Sequence, residues 1–320
     1  MTSLFDVTDN ADILALQTRL SDEDPGVRRI ALIELADLEE PEGLVWLVDR
    51  LAEDPAEEVR AEAARLLEAW EDDPVVEALC QALTDPAQTV QAAAAQSLSL
   101  LKSEAAGKVI LPWTVHAEVQ VRVAAFRALR ELRLTDAAAA ASAALLDVDP
   151  GVRREAVGVL GWLKQLDALP ALATLASQDP DTEVRRAATG ALGLACGAQV
   201  LPALRQALRD NALQVREEAA TTLGKVGHVD AGPALVDALG DDYWQVRLRA
   251  TRSLGRLRYV PALEALIDTL GHRISNLRKE AALALGELQD PGAIAPLQAA
   301  QDDGDPEVRK AVRIALSQLQ

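Results

Sequence analysis

The chain has 320 residues, 49% of them hydrophobic but only 3% aromatic, and a formal net charge of −18. Burial must therefore come from Leu, Ala and Val, which favours closely packed helices over a β-rich core. The acidic balance opposes a phosphate backbone or an anionic lipid surface as partner, and two cysteines, Cys80 and Cys196, make neither a disulfide framework nor a CxxC metal pair.

The acidity is concentrated at the beginning. Residues 1–86 hold 23 Asp or Glu against 6 Lys or Arg, a net of −17, and the rest of the chain sums to about −1. This half suits a basic partner, steered by Asp49, Asp54, Glu57 and Glu58, or serves solubility. The opening MTSLFDVTDNADILALQ carries Asp6, Asp9 and Asp12 where a signal peptide would be basic, and no apolar run reaches membrane-spanning length. With reduced cysteines, the expectation is a cytoplasmic protein. Residues 1–20 read as an incomplete capping segment ahead of a repeat array over 21–320, one continuous domain.

The array is plain in the sequence. A Val-Arg pair stands at Val27-Arg28, Val59-Arg60, Val121-Arg122, Val152-Arg153, Val184-Arg185, Val215-Arg216, Val246-Arg247 and Val308-Arg309, with Val90-Gln91 and Leu277-Arg278 in the gaps, at steps of 31 or 32 residues. Four residues after the Val comes Ala (Val312 in the last repeat), four further comes Leu, and three further again Leu recurs. Those offsets share one stripe of an α-helix, and the alanines admit a close neighbour. Asp-Pro often precedes this helix, as at Asp24-Pro25, Asp54-Pro55, Asp85-Pro86, Asp149-Pro150, Asp179-Pro180 and Asp305-Pro306; Asp can cap the free amides and Pro fits a first turn. A second helix, with starts such as Leu169-Pro170-Ala171-Leu172, fills the rest of each unit. One such hairpin cannot bury its own apolar faces, whereas a stack can.

Within the repeat, the recurring Arg is read as a stabilising residue pairing with helix-end carboxylates or carbonyls along the stack. Gly161, Gly193, Gly224, Gly255 and Gly286 share one position, nine residues after the Val, and point to close backbone packing or a helix end. Residues 102–121 break the rhythm: Pro112 falls late in its helix, which marks either a hinge or a loop that delays the next helix. Trp113 and Trp162 are assigned to core or inter-repeat packing.

The pattern D-P-x-x-x-V-R-x-x-A-x-x-x-L-G, clearest in residues 179–193 (DPDTEVRRAATGALG), resembles the HEAT-like repeats of the phycobilisome-lyase type. The resemblance covers nearly the whole chain and implies an all-α fold, a right-handed α-solenoid of about ten helical hairpins. It does not select a function, because that family spans chromophore lyases, adaptors and assembly proteins, a metal-dependent hydroxylase and DNA-binding members. It also implies that the second helix of each pair lines a concave surface, so that side chains at offsets 2, 6, 9 and 13 from the Val face a partner. The hydroxylase relatives use repeated His-Glu pairs as iron ligands. Here His116, His228 and His272 stand alone, followed by Ala117, Val229 and Arg273, so no comparable metal site is expected. Cys80 and Cys196 read as buried structural thiols.

Residues 243–280 are the sharpest local cluster: 8 cations against 3 acids in an acidic chain, with Tyr243, Trp244 and Tyr259 among them. Trp, Tyr and Arg are the residue types that anchor interfaces. The partner-binding residues are accordingly Tyr243, Trp244, Leu248, Arg249, Arg252, Arg256, Tyr259 and Lys279. No catalytic, metal or cofactor-binding residue is assigned and no cofactor is expected. The sequence reads as a non-catalytic scaffold, adaptor or assembly factor. Its protein partner presents an acidic patch to the C-terminal repeats and a basic patch to the N-terminal ones, with neither nucleic acid nor membrane involved. The alternative is a bilin lyase-like subunit that holds a tetrapyrrole, its propionates on arginines and its ring against the aromatics.

Overall fold

The period of the Val-Arg pair becomes a period of helical hairpins. A computed structural model describes residues 8–194 and 197–319, which leaves Cys196 and the first seven residues of the expected capping segment outside the description. The chain divides into two compact units, residues 1–163 and 164–320. The first holds five hairpins: α1 (Ala11–Leu20) with α2 (Pro25–Asp37), α3 (Leu44–Glu53) with α4 (Glu57–Leu66), α5 (Asp73–Ala82) with α6 (Gln88–Leu100), α7 (Glu104–Ile110) with α8 (Val119–Leu132), and α9 (Ala137–Ala144) with α10 (Pro150–Trp162). The second holds five more: α11 (Leu169–Gln178) with α12 (Thr182–Ala191), α13 (Leu201–Ala207) with α14 (Leu213–Val226), α15 (Gly232–Ala238) with α16 (Trp244–Arg256), α17 (Leu263–Leu270) with α18 (Ser275–Leu288), and α19 (Ile294–Ala299) with α20 (Pro306–Gln318). There is no strand among the described residues. Each unit is a stretch of α-solenoid in which even-numbered helices pack on even-numbered ones, α2 on α4 through α8 on α10 and α12 on α14 through α18 on α20.

The apolar stripe is what the stack buries. Val59, Ala63 and Leu67 have no exposed surface, and the same holds for Val90, Ala94 and Leu98 and for Val246, Ala250 and Leu254. The stack is also tied by hydrogen bonds from the seventh residue after the Val. Ser97 on α6 donates its hydroxyl to the Ala64 carbonyl on α4 at 2.8 Å, and Ser253 on α16 does so to Ala220 on α14 at 2.7 Å. Both sites are buried, so Ser97→Ala loses a bond that water does not replace. The expected cost is about 1 kcal/mol, read as a lower urea midpoint at unchanged slope.

The Asp-Pro motif falls in two registers. Asp24, Asp149 and Asp305 are N-caps whose carboxylates accept amides of the first helical turn. At Asp54 and Asp85 the helix begins two residues later, with Ala56 and Ala87 at the cap position. These two carboxylates accept the Ala56 and Ala87 amides and are then free to do something else. Several even helices end alike as well. Glu39, Arg133, Lys164, Arg258 and Gln289 take positive φ, and Gly227 does so at the same place in its repeat; a left-handed residue is the usual way to close a helix C-terminus.

Pro112 ends α7. The backbone tightens into a 3-10 turn over Leu111–Val115 and α8 starts at Val119. Trp113 stacks on His116 with ring centroids 5.7 Å apart. Trp162 packs between repeats, under the guanidinium of Arg133 from the preceding hairpin, and is 48% exposed because its position lies off the apolar stripe.

Candidate partner-binding face and the arginine ladder

The arginine that follows each Val does not reach out to solvent. Its Nη1 donates to backbone carbonyls just before its own helix: Arg122 to His116 and Ala117, Arg216 to Asp210 and Asn211, Arg278 to His272 and Arg273. Its Nε side turns to an Asp of the next hairpin. Such pairs form at 2.7–2.9 Å between Arg28 and Asp54, Arg60 and Asp85, Arg122 and Asp147, Arg185 and Asp210, Arg216 and Asp241, and Arg278 and Asp303. Each is a two-pronged contact, Nε to one carboxylate oxygen and Nη2 to the other, as the planar fork of Arg favours. Burial alone pushes Asp54, Asp85, Asp147, Asp210 and Asp241 up; the guanidinium and the amide two residues on outweigh it and hold them below the usual carboxylate range.

Two repeats depart from this rule, in different ways. His116 stands where the Asp belongs, and the residue that would pair with it is Gln91, which donates instead to the Asp85 carbonyl at 2.7 Å. His272 also stands where the Asp belongs, yet Arg247 is kept. Arg247 makes no ion pair, and its buried Nε meets no acceptor, nor does Oε1 of nearby Gln245 meet a donor.

The face on which the sequence placed the partner is the exposed row of even helices, and in the second unit it is laced by ion pairs. Arg249 on α16 donates to Glu217 on α14 at 2.9 Å. Arg252 grips Glu280 on α18 through two bonds at 2.7 and 2.8 Å, and Lys279 lies 3.7 Å from Glu307 on α20. Four of the eight cations of residues 243–280 are thus engaged by acids of neighbouring repeats, Arg278 being the fourth. Arg256 is exposed and unbridged, although its charge helps draw down Glu287, whose carboxyl burial and Glu280 hold above the usual range. Trp244 and Leu248 are half-buried at the start of α16. Tyr243 is 48% exposed with the Arg216 guanidinium over its ring at 5.4 Å, and so shields a ladder pair. Tyr259 packs its ring over Gly232. A shallow groove between α12, α14 and α16 is lined by Arg186, Glu217, Glu218, Thr221, Lys225 and Arg249.

Two expectations are corrected by these positions. Gly255 and Gly286, nine residues after the Val, do not face outward: Gly255 lies against Ala284 and Glu287, and Gly286 against Ala315, because the next even helix covers them. Asp54 does not steer a partner, since it is buried against Arg28, whereas Glu57 and Glu58 are exposed.

Among the described residues no group of three His, Cys, Asp or Glu is placed to hold a metal, and no helix is long and apolar enough to cross a membrane. Cys80 is buried, and desolvation, with help from Glu77, pushes its thiol up to about 12. The thiolate is the nucleophile, so Cys80 is expected to resist iodoacetamide at pH 8 in the folded protein and to react once the chain is unfolded in urea, as mass spectrometry would show.

Five overlapping stretches, residues 9–68, 44–114, 107–193, 169–245 and 232–317, match the HEAT repeats. The crystal structure of an engineered protein aligns with 97% of this chain and 99% of its own at 22% identity and a TM-score of 0.54. YibA of E. coli aligns over 83% of this chain and 98% of its own, with 20% identity and a TM-score of 0.60. Yeast importin-β aligns over 96% of this chain with 15% identity and a TM-score of 0.66, and the chain spans about half, 50%, of its length. At these identities the likeness is one of fold alone. No curated protein sequence matches the chain.

Proposed function

This chain belongs to the HEAT repeat family, and we propose that it works as a non-catalytic scaffold, an adaptor or assembly factor that binds a partner protein along its even helices. The observation that carries this reading is α16. In an acidic chain it presents Tyr243 and Trp244 at its start and the unbridged Arg256 at its end, the residue types that anchor interfaces. The partner is a protein with an acidic patch for these repeats and a basic patch for the N-terminal ones, where Glu57 and Glu58 steer its approach. The fold likeness to yeast importin-β supports the reading, since Kap95p is known in complexes with RanGDP and with Nup1. The lyase-like alternative asks for free guanidiniums to hold propionates, and Arg249 and Arg252 already hold Glu217 and Glu280; it is the weaker of the two.

The test is capture of partners from the native host by the tagged protein, read by mass spectrometry. Arg249→Glu with Arg252→Glu is expected to abolish capture, but it also breaks two inter-repeat bridges. Arg256→Glu leaves those bridges intact and is expected to weaken capture at least tenfold with an unchanged helical melt. A partner held equally by wild type and Arg256→Glu places the binding face elsewhere.

A further inference from the structure

The strongest unexplained feature lies at the loop edge of the second unit, on the first turn of α16, and does not depend on the partner reading. We propose that the gap between Arg247 and His272 is a carboxylate-binding site, completed by an acidic group from outside the chain.

The chemistry is fixed by the chain's own sister positions. At six places an arginine in the position of Arg247 receives a carboxylate across Nε and Nη2. At Arg247 the guanidinium is retained, its Nε is buried, and no acceptor meets it. A buried donor without an acceptor is costly unless a bound group satisfies it. Where the chain has no use for such a donor it removes it: opposite His116 the arginine is replaced by Gln91, which is satisfied by a backbone carbonyl. Arg247 opposite His272 is therefore a departure of a different kind.

His272 deepens the mismatch. Its Nδ1 accepts the Ile274 amide at 3.0 Å, the local duty of the Asp it replaces. An imidazole that accepts at Nδ1 carries its proton at Nε2, so His272 has no second acceptor to offer as an Asp carboxylate has. Burial and the charges of Arg247, Arg273 and Arg278 lower the pKa of His272, which favours its neutral form. Arg273 is exposed at the rim, whereas Arg278 is already held by Asp303. The site thus offers an unpaired guanidinium fork, an N–H donor and a rim cation, with no carboxylate of its own across the fork. A planar carboxylate satisfies the fork in the geometry seen six times elsewhere.

The experiment is a titration of the full-length protein with acetate, replacing chloride at constant ionic strength, followed by the Nε–Hε resonances of the arginines in 15N spectra. Wild type is expected to show one saturable shift, assigned by its disappearance in Arg247→Gln. That variant recreates the Gln91/His116 combination the chain already tolerates, which protects it from a folding failure. His272→Asp closes the ladder from within: its Arg247 resonance is expected among those of the six bridged arginines before any acetate is added, with the response to acetate lost and the melting temperature raised. A capped tripeptide with a central Asp is titrated in parallel. A half-saturation at least tenfold lower than that of acetate assigns the carboxylate to a partner chain, and an equal one assigns it to a free small carboxylate. The absence of a saturable Arg247 shift with either probe, or a full response retained in His272→Asp, overturns the proposal.

Discussion

Arg28→Met is expected to lower the unfolding free energy by about 3–5 kcal/mol, the range for removing one partner of a buried ion pair. Among the ladder pairs Arg28–Asp54 is the most enclosed, with side-chain exposures of 7% and 0%. The substitution keeps an unbranched apolar stem and removes the fork. Asp54 is left with the Ala56 amide and Arg50, the latter at 3.6 Å, and the carbonyls of Asp22 and Glu23 lose their donor. The double variant Arg28→Met with Asp54→Leu is expected to recover most of the loss, because no uncompensated charge remains. Urea unfolding followed by circular dichroism separates the two.

The same pair fixes a pH dependence. A carboxylate held below its ordinary value stabilises the fold fully above its unfolded pKa, about 4, and that contribution is lost as the pH falls through the folded value. Wild type should therefore weaken below about pH 4 as Asp54 and its sisters take up protons. In Arg28→Met burial is opposed less, the Asp54 carboxyl moves up, and protonation relieves it. The gap between wild type and variant should then narrow on acidification. A gap that is constant from pH 7 to pH 3 would show that the Asp54 charge is not what the substitution exposes.

Gly286→Val is expected to cost about 3 kcal/mol. A Cβ at Gly286 would sit 2.7 Å from the Cα and 2.9 Å from the Cβ of Ala315, backbone-anchored atoms that cannot swing aside. Any gain from a better helix former is below about 1 kcal/mol, while overpacking costs roughly 1–3 kcal/mol, and the two further methyl groups of Val push into the same contact. Gly255→Ala, at 2.8 Å from the Cα of Ala284, is the milder version of the same experiment. Gly240→Ala is the control: its Cβ would meet only the Asp237 carbonyl at 3.4 Å, and the change should stay within about 0.5 kcal/mol.

How much of this was legible depends on whether the information is local. The stripe of Val, Ala and Leu is a local pattern, and it yielded the hairpins, their number and their period. The reading of the repeated Arg as a stack residue needed only its recurrence. Its partner was harder to see, because the Asp lies 25 or 26 residues on, and the Asp-Pro dipeptide hides two jobs: Asp149 caps its helix while Asp85 holds Arg60. The phase of the Asp against the following Val separates the two. The helix ends were not readable, since five of the six left-handed positions carry ordinary residues such as Gln289 and only Gly227 announces itself. The cation-rich stretch 243–280 was visible as composition, but composition does not say that Arg249 and Arg252 are spoken for by Glu217 and Glu280. Conversely, the unpaired Arg247 was invisible as one more Val-Arg pair. Only its missing Asp, at His272, marks it.

Because a bridged arginine is matched by the hairpin after it, the complementary surfaces lie between repeats and recur, so whole repeats between bridged junctions can be cut out or copied without redesigning a junction. Excising residues 186–216 would bring Arg185 to Asp241 in the register it now shares with Asp210. Excising residues 248–278 would bring Arg247 to Asp303 and heal the mismatch at Arg247. A chain built this way can change length by recombination at little risk to its folding, and a site such as that at Arg247 can be created or erased in a single such event.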